Sequence, residues 1–137
     1  MLDDASISSV AKNDQEINPV TDYVVSLYTQ HDFKTWEDEA RLEIVRGPKA
    51  VGLSAGKFLN NIESFTKFVV DVKKIEHLPF NKALEVVESM LFDLKNKPKI
   101  DDTVVDAVSL NNENWDYKNI LIETESQYIY MCRSSTA

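Results

Sequence analysis

The sequence has few of the residues that build disulfides and metal centres. Its 137 residues include one cysteine, Cys132, and two histidines, His31 and His77. A single cysteine can neither close an internal disulfide nor form a Cys-rich zinc site, so we expect a reducing compartment, nuclear or cytoplasmic. Neither histidine has a second histidine or a cysteine at a metal-ligand spacing. The sequence therefore predicts no metal site and no cofactor, and both histidines are interpreted as surface or turn residues.

Long apolar runs are also absent. No stretch of about 18 apolar residues occurs, which is the length that a membrane-spanning helix needs. The opening residues Met1-Leu2-Asp3-Asp4 carry acids where a secretory signal needs bases. We therefore predict neither a membrane protein nor export by that route. With 43% apolar and 28% charged residues, the composition is that of one globular domain large enough to bury a core.

The formal net charge is −8, and it is concentrated at the front of the chain. Residues 1–39 hold nine acids and two lysines, a net charge of −7, whereas residues 40–137 have a net charge of −1. Residues 1–17 are polar and show no sustained period, which predicts a mobile acidic tail before a single domain over residues 18–137. The acidic front is interpreted as a solvated tail, with a DNA mimic or an acidic lid for a basic partner as the alternatives.

Hydrophobic periodicity predicts an α+β domain in which two or three helices pack on a mixed or antiparallel sheet. Apolar residues at helical spacing follow an Asn-Pro start and predict a helix over residues 18–28. Near-alternation of apolar and charged residues over residues 41–46, ended by a Gly-Pro pair, predicts a half-buried strand. Residues 58–63 either extend a helix toward Val72 or form a turn before a strand over residues 67–72, and the β-branched content favours the strand.

The second half of the chain gives clearer signals. The strongest predicted helix begins at Phe80, and its apolar stripe consists of Phe80, Ala83, Leu84, Val87, Leu91 and Leu94. Residues 104–108 fit either a helical turn or a short strand. Residues 117–133 predict a hairpin of two apolar strands around a polar break.

Motifs for nucleotide binding and nucleophilic catalysis do not occur. The sequence Gly52-x-x-x-Gly56-Lys57 has one residue too few between its glycines for a phosphate-binding P-loop. No Gly-x-Ser-x-Gly elbow is present. Cys132 lies near the end of an apolar strand and is interpreted as a small buried hydrophobe. The carboxylates at residues 37–39 and 101–102 are interpreted as solvated surface charge, so no catalytic residue is predicted.

Three segments, taken in order along the chain, carry a family resemblance. They are an acidic turn with a tryptophan at residues 34–39, the apolar helix at residues 80–90, and an apolar strand, acidic turn and Tyr-containing strand at residues 118–130. Together with the predicted first helix and the strand over residues 68–72, this order resembles the nuclease-like domain of tRNA-splicing endonuclease subunits. The small, non-catalytic subunit is the most similar. The resemblance spans residues 19–133 and implies the nuclease-like endonuclease-subunit fold.

The resemblance has implications for activity. Catalytic subunits of that family cleave RNA with a tyrosine, a histidine and a lysine, which supply acid, base and charge stabilisation. This chain has no tyrosine between Tyr28 and Tyr117, and Phe65 stands where the resemblance places the histidine. Only Lys118 matches, at the position of the family lysine. The resemblance therefore implies a structural subunit, not an enzyme, that supports a catalytic partner during intron excision from pre-tRNA.

The resemblance also implies a partner surface. Subunits of the family pair through their C-terminal strands, and the corresponding apolar run here is Tyr128, Ile129, Tyr130, Met131 and Cys132. The implied partner is a catalytic endonuclease subunit or a second copy of the chain, with pre-tRNA bound indirectly. The alternative is that both faces of this strand are buried within the domain.

Lys118, Lys73 and Lys74 are the predicted RNA-proximal residues. Two other classes of function stay open from the sequence. One is an acidic inhibitor or immunity-type protein that binds a basic nuclease. The other is a small RNA-binding adaptor that uses lysines near residues 73 and 95–99, whose affinity would fall steeply with salt.

Overall fold

A computed structural model describes residues 2–8, 23–34, 39–50, 52–66, 70–100, 102–111 and 117–136. These residues form three helices, which are α1 (Asp4–Ser8), α2 (Ala55–Thr66) and α3 (Phe80–Leu91). They also form the strands β1 (Val24–Tyr28), β2 (Glu39–Pro48), β3 (Glu76–His77), β4 (Val104–Ser109), β5 (Tyr117–Thr124) and β6 (Gln127–Thr136), and a 3-10 turn at Gln30–Asp32. None of the helices in this part of the chain is both long and apolar enough to span a bilayer.

The six strands make one antiparallel sheet in the order β1-β2-β6-β5-β4-β3. Strand β6 lies inside the sheet and is paired along both edges. On one side it pairs with β2 over ten residues, from Glu39↔Thr136 to Pro48↔Gln127. On the other side it pairs with β5 through the tight hairpin. The last strand in the sequence therefore joins the front half of the chain to the back half.

Helices cover both faces of this sheet, so the side chains of β6 alternate between two cores. Tyr128, Tyr130 and Cys132 belong to the core under α1 and α2. Ile129 and Met131 belong to the core under α3. Because both faces of β6 are buried against apolar cores, its sequence is a continuous hydrophobic run and does not alternate between apolar and polar residues.

Several sequence predictions are confirmed. The described residues form an α+β domain with an antiparallel sheet and three helices. The strand predicted over residues 41–46 is the middle of β2, the strongest predicted helix is α3, and the predicted hairpin is β5 and β6. Residues 104–108, which were ambiguous in sequence, form most of β4.

The helix predicted over residues 18–28 is wrong for its described part, because residues 24–28 are strand β1. β1 pairs with β2 from Val24↔Arg46 to Tyr28↔Leu42. Its helical apolar spacing is outweighed by adjacent β-branched residues, which suit a strand, and by the pairing that β2 offers. Gly47 on β2 favours this arrangement, since a side chain there would collide with the ring of Tyr23.

The strand preferred over residues 67–72 is also wrong where it is described. Residues 70–72 lie in no strand, residues 67–69 lie outside the described residues, and the helical alternative over residues 58–63 is the correct one. Ser54 caps α2 by accepting a hydrogen bond from the Lys57 backbone N–H at 3.2 Å. The core side chains Ala55, Phe58, Leu59 and Ile62 then follow at helical spacing.

The mobile tail predicted over residues 1–17 is wrong for residues 2–8. Helix α1 places Ile7 in the core at 0% exposure, and Leu2 is also buried. These two apolar side chains are enough to dock a short helix against α2. The rest of the predicted tail lies outside the described residues, as does most of the tryptophan turn at residues 34–39.

Of the predicted stripe of α3, Ala83, Leu91 and Leu94 are buried and Val87 packs against the core, but the helix is rotated so that the other two members are exposed. Phe80 and Leu84 are 58% and 48% exposed, while Ala83, Met90 and Leu91 are buried. Residues 82, 85, 86 and 89 consequently lie toward the edge of the sheet formed by β3, β4 and β5.

The C-terminal end of α3 is held to β6 by a largely buried ion pair. The Arg133 guanidinium donates two hydrogen bonds to the Asp93 carboxylate, at 2.7 and 2.8 Å, and a third to the carbonyl of Met90 at 2.9 Å. It also lies 4.6 Å from the ring centre of Phe33. Hydrogen bonding to Arg133 holds the pKa of Asp93 below its ordinary value.

We expect Arg133→Met to lower the free energy of unfolding by about 3 kcal/mol, because it leaves the buried Asp93 carboxylate without its partner. Lys97→Met removes an exposed ion pair with Glu88 and should cost less than about 1 kcal/mol. Because the pKa of Asp93 is lowered in the folded state, its contribution is present above the ordinary carboxyl pKa. It is lost as the pH falls through the lowered value. Urea denaturation at pH 7 and pH 3 measures both effects, and equal losses for the two variants would contradict this role.

Candidate functional site

A cavity of about 400 Å³ lies between α3 and the end of the sheet where β3, β4 and β5 meet. The charged side chains that line it are Lys74, Glu76, Lys82, Glu85 and Lys118. Its uncharged polar lining includes Ser89 and Ser109, and Leu78 and Val86 give it an apolar part. A volume of this size is within the range of small-ligand sites.

Lys118 is the half-buried charge of this pocket, and Ser89 holds it in place. Lys118 Nζ donates a hydrogen bond to Ser89 Oγ at 3.0 Å. Ser89 Oγ in turn donates to the carbonyl oxygen of Val86 at 2.7 Å. An ammonium group has three N–H donors, and the described residues take up one of those of Lys118, which leaves two for an acceptor brought by a ligand.

The direction of these hydrogen bonds decides between two chemistries. A Ser–Lys pair acts in nucleophilic catalysis when a neutral lysine accepts the serine proton. Here Ser89 Oγ lies 2.7 Å from the carbonyl oxygen of Val86, which can only accept, so the serine proton is used in that bond and Lys118 is the donor to the serine oxygen. This geometry suits a cation that binds an anion, rather than a base that activates a nucleophile.

The other charges of the pocket are near its rim. Lys74 forms an exposed ion pair with Glu76 at 3.3 Å, whereas Lys82 and Glu85 extend from α3. Three lysines and two glutamates give the pocket a net positive charge in a chain whose net charge is −8. An anionic ligand is therefore favoured here over a cationic one.

The structure brings together two of the three predicted RNA-proximal lysines. Lys118 and Lys74 both line the pocket, although 44 positions separate them in the sequence. Lys73 does not line it; its side chain is 66% exposed and pairs with Asp71 at 3.5 Å. Sequence reasoning missed Lys82 and Ser89. Their spacing along α3 could have identified a polar helix face had the rotation of the helix been known.

The predicted partner surface on the C-terminal strand is contradicted. The side chains of Tyr128, Ile129, Tyr130, Met131 and Cys132 are all buried, with exposures of 9% or less. Both edges of the strand are already paired, with β2 and with β5. The apolar character of this run comes from its position between two cores, which was the alternative interpretation.

Cys132 is a buried residue, as its position in an apolar strand predicted. Burial raises the pKa of its thiol, and the hydroxyls of Tyr117 and Tyr130 lie beside it. A thiol with a raised pKa is a poor nucleophile. Within the described ranges, no group of three or more His, Cys, Asp or Glu side chains is placed to hold a metal ion.

No family model matches the sequence, and no curated protein or solved structure matches it significantly. The chemistry of the pocket is therefore inferred from the geometry of its own residues.

A second polar feature lies on the buried face of α2 and is closed to solvent. Asn60 is 2% exposed, and neither its amide nitrogen nor its amide oxygen has a hydrogen-bond partner among the described residues. The neighbouring Asn61 donates to the hydroxyl of Tyr23 at 3.4 Å. A buried amide without partners is destabilising.

We expect Asn60→Leu to raise the free energy of unfolding by about 1 kcal/mol, because it removes a desolvated amide at nearly constant volume. Asn61→Leu is the matched control, which loses a hydrogen bond and should not stabilise the protein. Urea denaturation of both variants measures the difference. A clear loss of stability in Asn60→Leu would mean that the Asn60 amide is hydrogen-bonded in solution.

Proposed function

We propose that this chain is a non-catalytic, RNA-associated subunit that holds a phosphate group of RNA in the pocket between α3 and the sheet. The observation that carries the proposal is the convergence of Lys118, Lys74 and Lys82 on one cavity. Phosphate oxygens are strong acceptors, and a lysine ammonium binds them as a point charge. The half-buried position of Lys118 strengthens such a contact, because water screens it less.

The role of a structural subunit in tRNA splicing is the wider setting of this proposal. The resemblance supports it at one point, since Lys118 stands at the position of the family lysine. It is weakened at two others, because the residues expected as the first helix and as the strand over 68–72 have different structures. A catalytic partner would have to bind at a surface other than Tyr128–Cys132, because those side chains are buried.

The charge distribution sets the expected strength of binding. Three lysines neutralise few phosphates, and the rest of the chain is acidic. Affinity for single-stranded RNA should fall with salt at a logarithmic slope of about −0.7 for each phosphate contacted, which is about −0.7 for the one phosphate in the pocket and at most about −2 if each lysine contacts its own phosphate. Such binding is adequate for a subunit that works beside a catalytic partner, and it differs from that of an independent high-affinity RNA-binding protein.

We expect Lys118→Met to weaken binding of a labelled single-stranded RNA by about tenfold or more, because a charge-assisted hydrogen bond is lost. Lys73→Met is the matched control, since it removes a nearby lysine outside the pocket, and it should change the affinity less than about twofold. Fluorescence anisotropy at several salt concentrations measures both the affinity and the slope. Thermal unfolding checks that Lys118→Met folds, and Ser89→Ala is a second variant that releases the ammonium without removing its charge.

Three outcomes would contradict the proposal. Equal losses for Lys118→Met and Lys73→Met would mean that any RNA binding is diffuse and does not use the pocket. Tighter binding of a free nucleoside monophosphate than of RNA would identify the pocket as a small-molecule site. Tight binding of a basic nuclease, lost when the acids of residues 1–39 are neutralised, would favour the inhibitor class.

A further inference from the structure

Helix α1 is fastened to the domain by polar contacts as well as by its buried apolar side chains. The backbone N–H of Leu2 donates to Asp106 Oδ2 at 3.0 Å. Ser6 Oγ accepts a hydrogen bond from the Gly56 N–H at 2.9 Å, in the first turn of α2. The third attachment is between Asp4 and His77, which belongs to the edge strand β3. A five-residue helix is too short to be stable alone, so it depends on these contacts.

The His77 ring lies between two carboxylates that come from different elements. Its Nε2 is 2.5 Å from Asp4 Oδ1 on α1, and its Nδ1 is 3.8 Å from Asp106 Oδ1 on β4. A neutral imidazole has one N–H, whereas an imidazolium has two. The arrangement of one carboxylate at each ring nitrogen is therefore the one that a protonated ring satisfies.

Strand β4 positions the second carboxylate. The pairing of β4 with β5 shifts register between Val104 and Asp106. Such irregularities redirect the side chains that follow them. Asp106 thereby contacts both the start of the chain at Leu2 and the ring of His77.

We propose that protonation of His77 controls how firmly α1 is docked on the domain, and we call the group of Asp4, His77 and Asp106 the clasp. With the ring protonated, it bridges Asp4 of α1 to Asp106 of the sheet. When the ring loses its proton, it can serve only one carboxylate as a donor, and both ion pairs disappear. Helix α1 then detaches more often and exposes the apolar surface of α2 against which Ile7 packs.

The charged groups around His77 fix the direction of this response. Asp4 faces it from α1 and Asp106 faces it from β4, whereas Glu76, its neighbour on β3, pairs with Lys74. The hydrogen bond to Asp4 is the main cause that raises the pKa of His77 above its ordinary 6.5. The stabilisation is therefore complete below about pH 6.5 and is lost as the pH rises through the raised value. The response is graded, because the apolar anchors Leu2 and Ile7 do not titrate.

Hydrogen exchange at one amide tests the clasp directly. The Ile7 N–H donates to the Asp3 carbonyl at 3.0 Å, so its protection reports whether α1 is formed and docked. We expect this protection to fall roughly two- to tenfold between pH 6 and pH 8.5 after correction for intrinsic exchange, as for exposed ion pairs. The midpoint should lie above pH 6.5, and the amide of Tyr130 in the central strand should not respond.

Variants separate His77 from other titrating groups. His77→Gln should show low Ile7 protection and no pH response, whereas His31→Gln should behave like the unmodified protein. Asp4→Asn keeps the histidine but removes its nearest carboxylate, so the midpoint should move down toward pH 6.5. A flat profile in the unmodified protein, or an unchanged profile in His77→Gln or Asp4→Asn, would overturn the proposal. None of these outcomes depends on RNA binding.

Discussion

Pairing of strand β6 along both of its edges is the constraint on which the rest of the molecule depends. β6 joins β2, whose paired residues lie 79 to 97 positions earlier in the sequence, to its hairpin neighbour β5. Its alternate side chains enter the two cores, with Tyr130 on one side and Met131 on the other. Removing β6 would separate the sheet into two halves and open both cores at once. A strand with this role is fully occupied inside the domain and has no free edge for a second chain.

The opposite end of the sheet, at strand β3, holds residues of both the pocket and the clasp. Strand β3 has only two residues, and each faces a different helix layer. Glu76 is paired with Ser109, and both line the pocket beside α3. His77 is paired with Val108, which belongs to the core under α1 and α2, and it binds Asp4 of α1. The pocket and the clasp thus lie on opposite faces of the same short strand.

The elements that the sequence predicts correctly are those whose structure is determined by neighbouring residues. The hairpin of β5 and β6, the alternation in β2 and the periodicity of α3 could all be read from neighbouring residues. Strand β1 and helix α1 could not, because their structure is set by distant contacts. β1 is a strand because β2 lies beside it, and α1 is ordered because Ile7 packs against α2. The same limit explains why an apolar run that looked like an interface is in fact the middle of the sheet.

The candidate site was partly predictable for the same physical reason. Charge and position singled out Lys118 and Lys74, but the partners of Lys118 depend on the rotation of α3 about its axis. That rotation leaves Phe80 and Leu84 in water, which forgoes roughly 1 kcal/mol or more of hydrophobic stabilisation for each.

Contacts at the far end of the helix offset this loss. Met90 and Leu91 are buried there, and Arg133 binds both the carbonyl of Met90 and the carboxylate of Asp93. These contacts fix the last turn of α3, and a rigid helix transmits its orientation to every earlier turn. Ser89, the residue before the anchored Met90, is thereby turned toward Lys118 and accepts its hydrogen bond. The ion pair between Arg133 and Asp93 therefore helps to position the pocket lysine through the orientation of Ser89, although neither residue of the pair lines the pocket.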